Sequence, residues 1–156
     1  YGPKDNYDIK SSHVLPALIR KFYEAKVNSL PSVTCWGTGE PLREFMHVDD
    51  LGYASLYVLE NWDPNDKLSP RDNNNEPFTY LNVGTGLDIK ISALAEKIAR
   101  ALDYNGEIIW DINKPDGTPK KQLDISRISK LGWKPRISLD EGIKLTIESF
   151  KKEINL

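Results

Sequence analysis

The side chains best suited to chemistry in this 156-residue chain lie in three short stretches. The first is Ser11-Ser12-His13-Val14-Leu15-Pro16-Ala17-Leu18-Ile19-Arg20-Lys21. The second is Trp36-Gly37-Thr38-Gly39, followed by Arg43-Glu44-Phe45-Met46-His47-Val48-Asp49-Asp50. The third is Lys114-Pro115-Asp116-Gly117-Thr118-Pro119-Lys120-Lys121. His13 stands where a helix should begin, and imidazole is the side chain that exchanges protons near neutral pH. Arg20 lies two turns further along the same face, and Lys21 about 80° round from His13. One helix can thus offer a proton carrier at one end and a cation for phosphate at the other. A surface histidine with ordinary helix-end cations is the plainer alternative, and spacing alone leaves it open.

Arg43 offers a planar fork that binds two phosphate oxygens at once, which suits a diphosphate. Its alternative is a salt bridge to Glu44 or Asp50. Trp36, just ahead of a glycine turn, can wall a base or sugar or can serve as core. Asp116 can accept from sugar hydroxyls, with Lys114, Lys120 and Lys121 near a phosphate or base carbonyl. An Asp-Gly between prolines is equally a plain turn. Asp49-Asp50 is more simply a helix cap than a catalytic acid pair.

Apolar spacing defines the elements that must carry these groups. Val14, Leu18 and Phe22 recur every four residues after a Ser11 or Ser12 cap, with Pro16 tolerated in the first turn. Residues 32–36 and 43–48 are expected strands around the 37–39 turn, and Asp49-Asp50 should cap a helix to about Asn61. Residues 61–77, rich in Asp, Asn and Pro, are expected as a loop inserted within the domain. A strand over 79–83 should end in Gly84-Thr85-Gly86. Then follow an amphipathic helix over 91–102, a strand over 107–110, a loop over 114–119, and a short helix capped by Asp124 that stops at Gly132. Ser138-Leu139-Asp140-Glu141 forms a capping box for a last helix to Lys151 or beyond. The expected architecture is mixed α/β, with short strands and dominant helices.

The formal net charge of −2 gives no reason to expect nucleic acid or an acidic membrane surface as partner. No apolar run approaches a membrane span. The single cysteine, Cys35, excludes an internal disulfide and fits a cytoplasmic location. The opening Tyr1-Gly2-Pro3 reads as the product of a cut. No metal-ligand spacing is present. Gly84-Thr85-Gly86 lacks the third glycine and the downstream acid of a dinucleotide cradle, so a strand-ending turn is expected there.

Along essentially its whole length the chain resembles the C-terminal part of extended short-chain dehydrogenases, the NAD-dependent epimerase/dehydratase superfamily that acts on nucleotide sugars. Tyr1-Gly2-Pro3 and the Arg43–Asp50 pattern carry that broad resemblance. The Ser12-His13-Val14-Leu15-Pro16-Ala17-Leu18 helix, the Trp36-Gly37-Thr38-Gly39 turn and Lys114-Pro115-Asp116-Gly117-Thr118-Pro119 narrow it to the GDP-L-fucose synthase family. That family epimerises GDP-4-keto-6-deoxy-D-mannose at both carbons flanking the ketone and reduces the ketone with NADPH, giving GDP-L-fucose.

The resemblance implies that residues 1–156 are a nucleotide-sugar-binding C-terminal domain without its Rossmann cofactor domain. It implies that His13 is the acid/base histidine, also near the nicotinamide end of NADP(H). Lys21, Trp36, Arg43 and Asp116 match nucleotide-sugar contacts, and Val14, Leu18 and Lys121 fall where guanine-side contacts are expected. The reactive cysteine and the Tyr and Lys that handle the ketone belong to the cofactor-carrying part, so Cys35 is not that cysteine. The fragment alone is expected to bind no cofactor and to be inactive; its partners are the GDP-sugar, its own N-terminal domain and a second copy in a homodimer. Two alternatives stand beside this: another nucleotide-sugar epimerase or dehydratase, and a non-catalytic sugar-nucleotide-binding module.

Overall fold

A computed structural model describes residues 1–8, 10–67 and 69–154. In chain order the elements are α1 (Val14–Val27), β1 (Ser32–Trp36), β2 (Leu42–Glu44), α2 (Val48–Asn61), β3 (Asp88–Lys90), α3 (Ile91–Ala101), β4 (Glu107–Asp111), β5 (Lys120–Lys121), α4 (Ser126–Lys130) and α5 (Leu139–Ile154). The mixed α/β class with short strands and dominant helices is as expected. β1 and β4 form a parallel pair with Cys35 opposite Trp110. β2 is the centre of a second sheet, antiparallel to β3 and parallel to β5, with Arg43 opposite both Ile89 and Lys121.

The main core forms because three amphipathic helices turn their apolar stripes to one another and to β1. Leu15, Leu18, Ile19 and Phe22 of α1 meet Leu94, Ala95 and Ile98 of α3, Ile143, Ile147 and Phe150 of α5, and Val33 and Cys35 of β1. A smaller cluster joins α2 and α4 through Ala54, Ile128 and Trp133, with Leu81 and Val83 packed on it. Pro16 is buried in the first turn of α1, where no helical N–H is required of it.

Three helices stop by the same device. Beyond α1, Ser29 has φ +50°, and Leu30 N–H donates to Ala25 C=O. Asp103 does the same after α3 and Gly132 after α4, so a left-handed residue closes each last turn whether or not it is glycine.

Several expected elements shift. The strand expected over 43–48 is confined to Leu42–Glu44, because the chain leaves the sheet at Phe45 and His47 becomes the N-cap of α2. His47 Nδ1 accepts from Asp49 N–H at 3.2 Å, so Asp49-Asp50 is not the cap. Asp50 is buried instead, and its two carboxylate oxygens accept from Arg136 N–H and Ile137 N–H at 3.0 Å each. No strand forms over 79–83; its β-forming side chains pack on Trp133 and Ala54 without a ladder partner. β3 and β5 were not expected. Ser138 Oγ accepts from Glu141 N–H at 3.3 Å, as its capping signal required. The other two caps fall elsewhere: Asp124 accepts from Ser126 N–H at 2.9 Å but the N-cap of α4 is Ile125, and the N-cap of α1 is His13 rather than Ser11 or Ser12. Among the described residues no helix is long and apolar enough to cross a membrane.

The Asp50 contact ties the start of α2 to the segment leading into α5. Asp50→Ala orphans two N–H groups, each worth about 1–3 kcal/mol when left without an acceptor. Asp50→Asn retains one acceptor and should lose less. Urea unfolding at unchanged m should rank wild type above Asn and Asn above Ala; equal midpoints for all three would remove this contact from the list of stabilising features.

Candidate functional site

The ends of α1, β1 and β2 and the loop before β5 enclose three adjoining hollows. One of about 270 Å³ is lined by Val14, Leu18, Lys21, Cys35, Trp36 and Trp110, among others. The next, about 190 Å³, shares Val14, Trp36 and Ile91 with it and adds Arg43, Pro115 and Asp116. The third, about 290 Å³, shares Arg43 and adds Lys121. Seven of the residues singled out in the sequence, scattered between Val14 and Lys121, therefore line this run of three hollows, the third joined to the others through Arg43. Hollows of about 470 and 600 Å³ elsewhere share no lining residue with this run, so size alone does not locate the site.

Trp36 is the wall of the run. It is 65% exposed rather than core, on the last residue of β1. Lys21 Nζ lies 5.5 Å and Lys114 Nζ 5.4 Å from its ring centroid, within range of cation–π attraction. Lys21 also donates to Thr34 C=O at 3.0 Å, which fixes its stem against β1.

The turn after Trp36 is held by Asp116. One carboxylate oxygen accepts from Thr38 N–H at 2.6 Å and the other from the Thr38 hydroxyl at 2.7 Å. A Cβ on Gly37 would collide with that carboxylate, and one on Gly39 would stand 2.8 Å from the Trp110 ring; both glycines have φ +76°. Asp116 thus holds the turn after Trp36 while also lining the hollow of about 190 Å³.

Neither salt bridge considered for Arg43 forms. Glu44 accepts from Gly86 N–H and Leu123 N–H, and Asp50 is occupied as described above. Arg43 Nη1 donates only to Leu42 C=O at 2.8 Å, and no acidic partner pairs with Arg43 among the described residues. Gly117 comes so close that a Cβ there would sit 3.5 Å from Arg43 Nη2.

The placement of the basic cluster also differs from expectation. Arg20, expected to share the His13 face for phosphate, pairs with Glu24 at 2.6 Å and donates to Tyr7 C=O at 2.8 Å on another surface. Lys120 pairs with Asp88 at 3.0 Å, whereas Lys121 forms no ion pair among the described residues. His13 is the exposed N-cap residue of α1 with no side-chain capping bond, and it borders the run through Val14 without lining a hollow. Sequence reasoning did not single out Ile91, Trp110 or Lys10 as lining residues, nor place Lys114 over Trp36. An apolar residue at a strand–helix junction and a tryptophan in a short strand carry no signal of a site.

Gly84-Thr85-Gly86 is not a cradle for a pyrophosphate. Its Gly86 N–H and Thr85 hydroxyl donate to the Glu44 carboxylate, and a Cβ on Gly84 would collide with that group. The residues of this chain therefore do not supply a dinucleotide phosphate loop there. Among the described residues no group of three or more His, Cys, Asp and Glu could hold a metal ion.

A parallel β1–β4 pair, a second small sheet and a cation-rimmed run beside an exposed tryptophan define a mixed α/β domain with a candidate site for an anionic ligand. Residues 1–74 match the NAD dependent epimerase/dehydratase family. The chain is 44% identical over 153 residues to the GDP-L-fucose synthase of Escherichia coli (strain K12), covering 96% of this chain and 46% of that protein. It superposes with a TM-score of 0.82 on a GDP-6-OMe-4-keto-L-xylo-heptose reductase from C. jejuni, at 35% identity over 98% of this chain and 51% of that one. A GDP-L-fucose synthetase from Naegleria fowleri bound to NADP gives the same TM-score of 0.82 at 25% identity, covering 99% of this chain and 45% of that one. The family match covers just under half of the chain. The sequence as a whole is similar to the C-terminal part of the GDP-L-fucose synthases and spans less than half the length of the curated relatives it matches.

Cys35 provides a check on the packing behind Trp36. Burial pushes its thiol above the usual range, and Lys21 pulls it part of the way back. A raised folded-state pKa means that stability is fully present below the unfolded thiol value, about 8.5, and is lost as pH rises through the folded value. The stability difference between wild type and Cys35→Ala should therefore shrink above about pH 8.5. A difference that stays constant from about pH 7 to 10 would contradict this burial argument.

Proposed function

We propose that this chain is the nucleotide-sugar-binding domain, residues 1–156, of an NADP-dependent epimerase-reductase that converts GDP-4-keto-6-deoxy-D-mannose to GDP-L-fucose. The observation that carries the reading is the convergence of Val14, Leu18, Lys21, Trp36, Arg43, Asp116 and Lys121 on one run of hollows. These are the residues carried over from the family. In this reading Arg43 meets the diphosphate, Trp36 walls the bound nucleotide sugar, and Val14, Leu18 and Lys121 contact the guanine side. Asp116 accepts from the ligand while keeping its hold on Thr38. The hydride comes from NADP(H) bound by a separate N-terminal Rossmann domain, this domain's partner within one enzyme. A homodimer and a cytoplasmic location complete the proposal; the domain by itself is inactive and binds no cofactor.

His13 is the acid/base residue of this scheme and approaches the nicotinamide end of the cofactor. Protons on the carbons flanking a ketone are acidic enough to be removed, and inversion requires a placed acid on the opposite face. An exposed imidazole at the head of α1, beside Val14, makes no side-chain capping bond among the described residues that it would have to give up for that role.

A second reading, reduction of a GDP-linked keto sugar without epimerisation, is favoured by the 35% identity to the C. jejuni protein named as a reductase. One experiment separates the two. In the complete enzyme, His13→Gln should lower incorporation of solvent deuterium at one or both carbons flanking the ketone by roughly 10²–10⁴-fold. Folding and NADPH binding should change little, and some reduction of unepimerised sugar should persist. Exchange at wild-type rates in a folded His13→Gln enzyme would remove His13 from the chemistry; no exchange even in wild type would favour the reductase.

A further inference from the structure

Glu44 lines the hollow of about 290 Å³, and two separate segments converge on its carboxylate. Its Oε1 accepts from Gly86 N–H at 2.7 Å and from the Thr85 hydroxyl at 3.3 Å. Its Oε2 accepts from Leu123 N–H at 2.8 Å. Leu123 lies two residues past β5, beyond the last ladder pair, Arg43 with Lys121. Nearby, Gln122 Nε2 donates to Gly86 C=O at 2.6 Å, so the same two segments are joined a second time.

The sheet is too short to hold these segments by its ladder alone. β2 has three residues and β5 two, and β5 pairs with β2 only at Leu42–Lys120 and Arg43–Lys121. A two-residue strand at a sheet edge frays readily unless something beyond the ladder fixes it. The carboxylate extends the pairing by one side chain exactly where the backbone ladder stops, and charge-assisted hydrogen bonds of this kind are stronger than neutral ones. Because Glu44 is spent on amides and a hydroxyl, it is also unavailable to neutralise its neighbour Arg43.

We infer that Glu44 is a positioning residue that holds the register partners Arg43 and Lys121 side by side, as the diphosphate and base-side cations of a GDP site. The inference rests on the reading that this run binds a GDP-linked sugar. Glutamine cannot replace the acid, since both oxygens accept from N–H groups and an amide would turn its own NH₂ toward one of them.

The test is calorimetric titration of the complete enzyme with GDP and, separately, with NADPH. Glu44→Gln should weaken GDP binding by roughly 10–10²-fold, the scale of a small misplacement of binding groups, and leave NADPH binding unchanged. In an Arg43→Ala/Lys121→Ala background the same change should have almost no further effect on GDP, because its influence passes through those two cations. Thr85→Val removes only the hydroxyl contact and serves if Glu44→Gln does not fold; it should weaken GDP binding less, and again not in the double-alanine background. Effects that add in that background, an equal loss of NADPH binding, or GDP affinity unaltered by either variant would overturn the role of Glu44 alone. Failure of the wild-type enzyme to bind GDP would overturn the site reading and this inference with it.

Discussion

The grip of Asp116 on Thr38 is the contact on which the rest of the candidate site depends. Two short hydrogen bonds, 2.6 and 2.7 Å, join a loop residue to the turn that follows β1 across 78 positions of sequence. The approach is possible only because Gly37 has no side chain and takes a left-handed φ of +76°. Closing that turn leaves Trp36 at the end of β1 with its ring outside the core, and it brings Lys114 over the ring. It also carries Gly117 past Arg43. Without the grip, the loop over 114–119 would be held near β2 by the two-residue β5 and the Leu42 N–H bond to Pro119 C=O at its far end.

A common electrostatic arrangement underlies the site. Three acids that could have paired with cations are engaged by backbone and hydroxyl donors instead: Glu44 by Gly86, Thr85 and Leu123, Asp50 by Arg136 and Ile137, Asp116 by Thr38. Each carboxylate is thereby stabilised without a positive side chain. The consequence is that Arg43, Lys21, Lys114 and Lys121 are not paired with acids among the described residues, in a chain whose formal net charge is −2. Overall charge therefore says little about ligand charge here. What matters is which acids the backbone has already taken.

The helices were legible in the sequence because each buries one stripe, and a stripe of 11 to 16 residues repeats often enough to be seen. The small strands were not. β3 is Asp-Ile-Lys and β5 is Lys-Lys, too short for alternation and too charged to suggest burial. Residues 79–83 have the composition of a strand but find no edge to pair with; Leu81 and Val83 instead cover Trp133 and Ala54. The same limit applied to polar roles. Asp49-Asp50 carries a capping signature, yet long-range amides at Arg136 and Ile137 claim Asp50, and only the fold brings them near. For the site, residue type and motif located seven lining residues, while Ile91 and Trp110 carry no such signal and only the fold brings them to the hollow.

Helix α1 shows why the motif residues come in one piece. Its Leu15, Ile19 and Phe22 are wholly buried and make it part of the core, so its axis cannot shift without disturbing α3 and α5. Val14, Leu18 and Lys21 border the hollow at spacings of four and three, the neighbour spacing of a helical face. Arg20, one position from Lys21, is turned about 100° away and is engaged with Glu24 and Tyr7. A rigid rod therefore presents an apolar pair and one cation to the same cavity, with His13 at its head about 12 Å from Lys21 along the axis. The rise of the helix fixes that separation. A ligand held at the Lys21 and Trp36 end meets His13 only if it is extended along α1, which a sugar joined through a diphosphate to a nucleoside can be and a compact anion cannot.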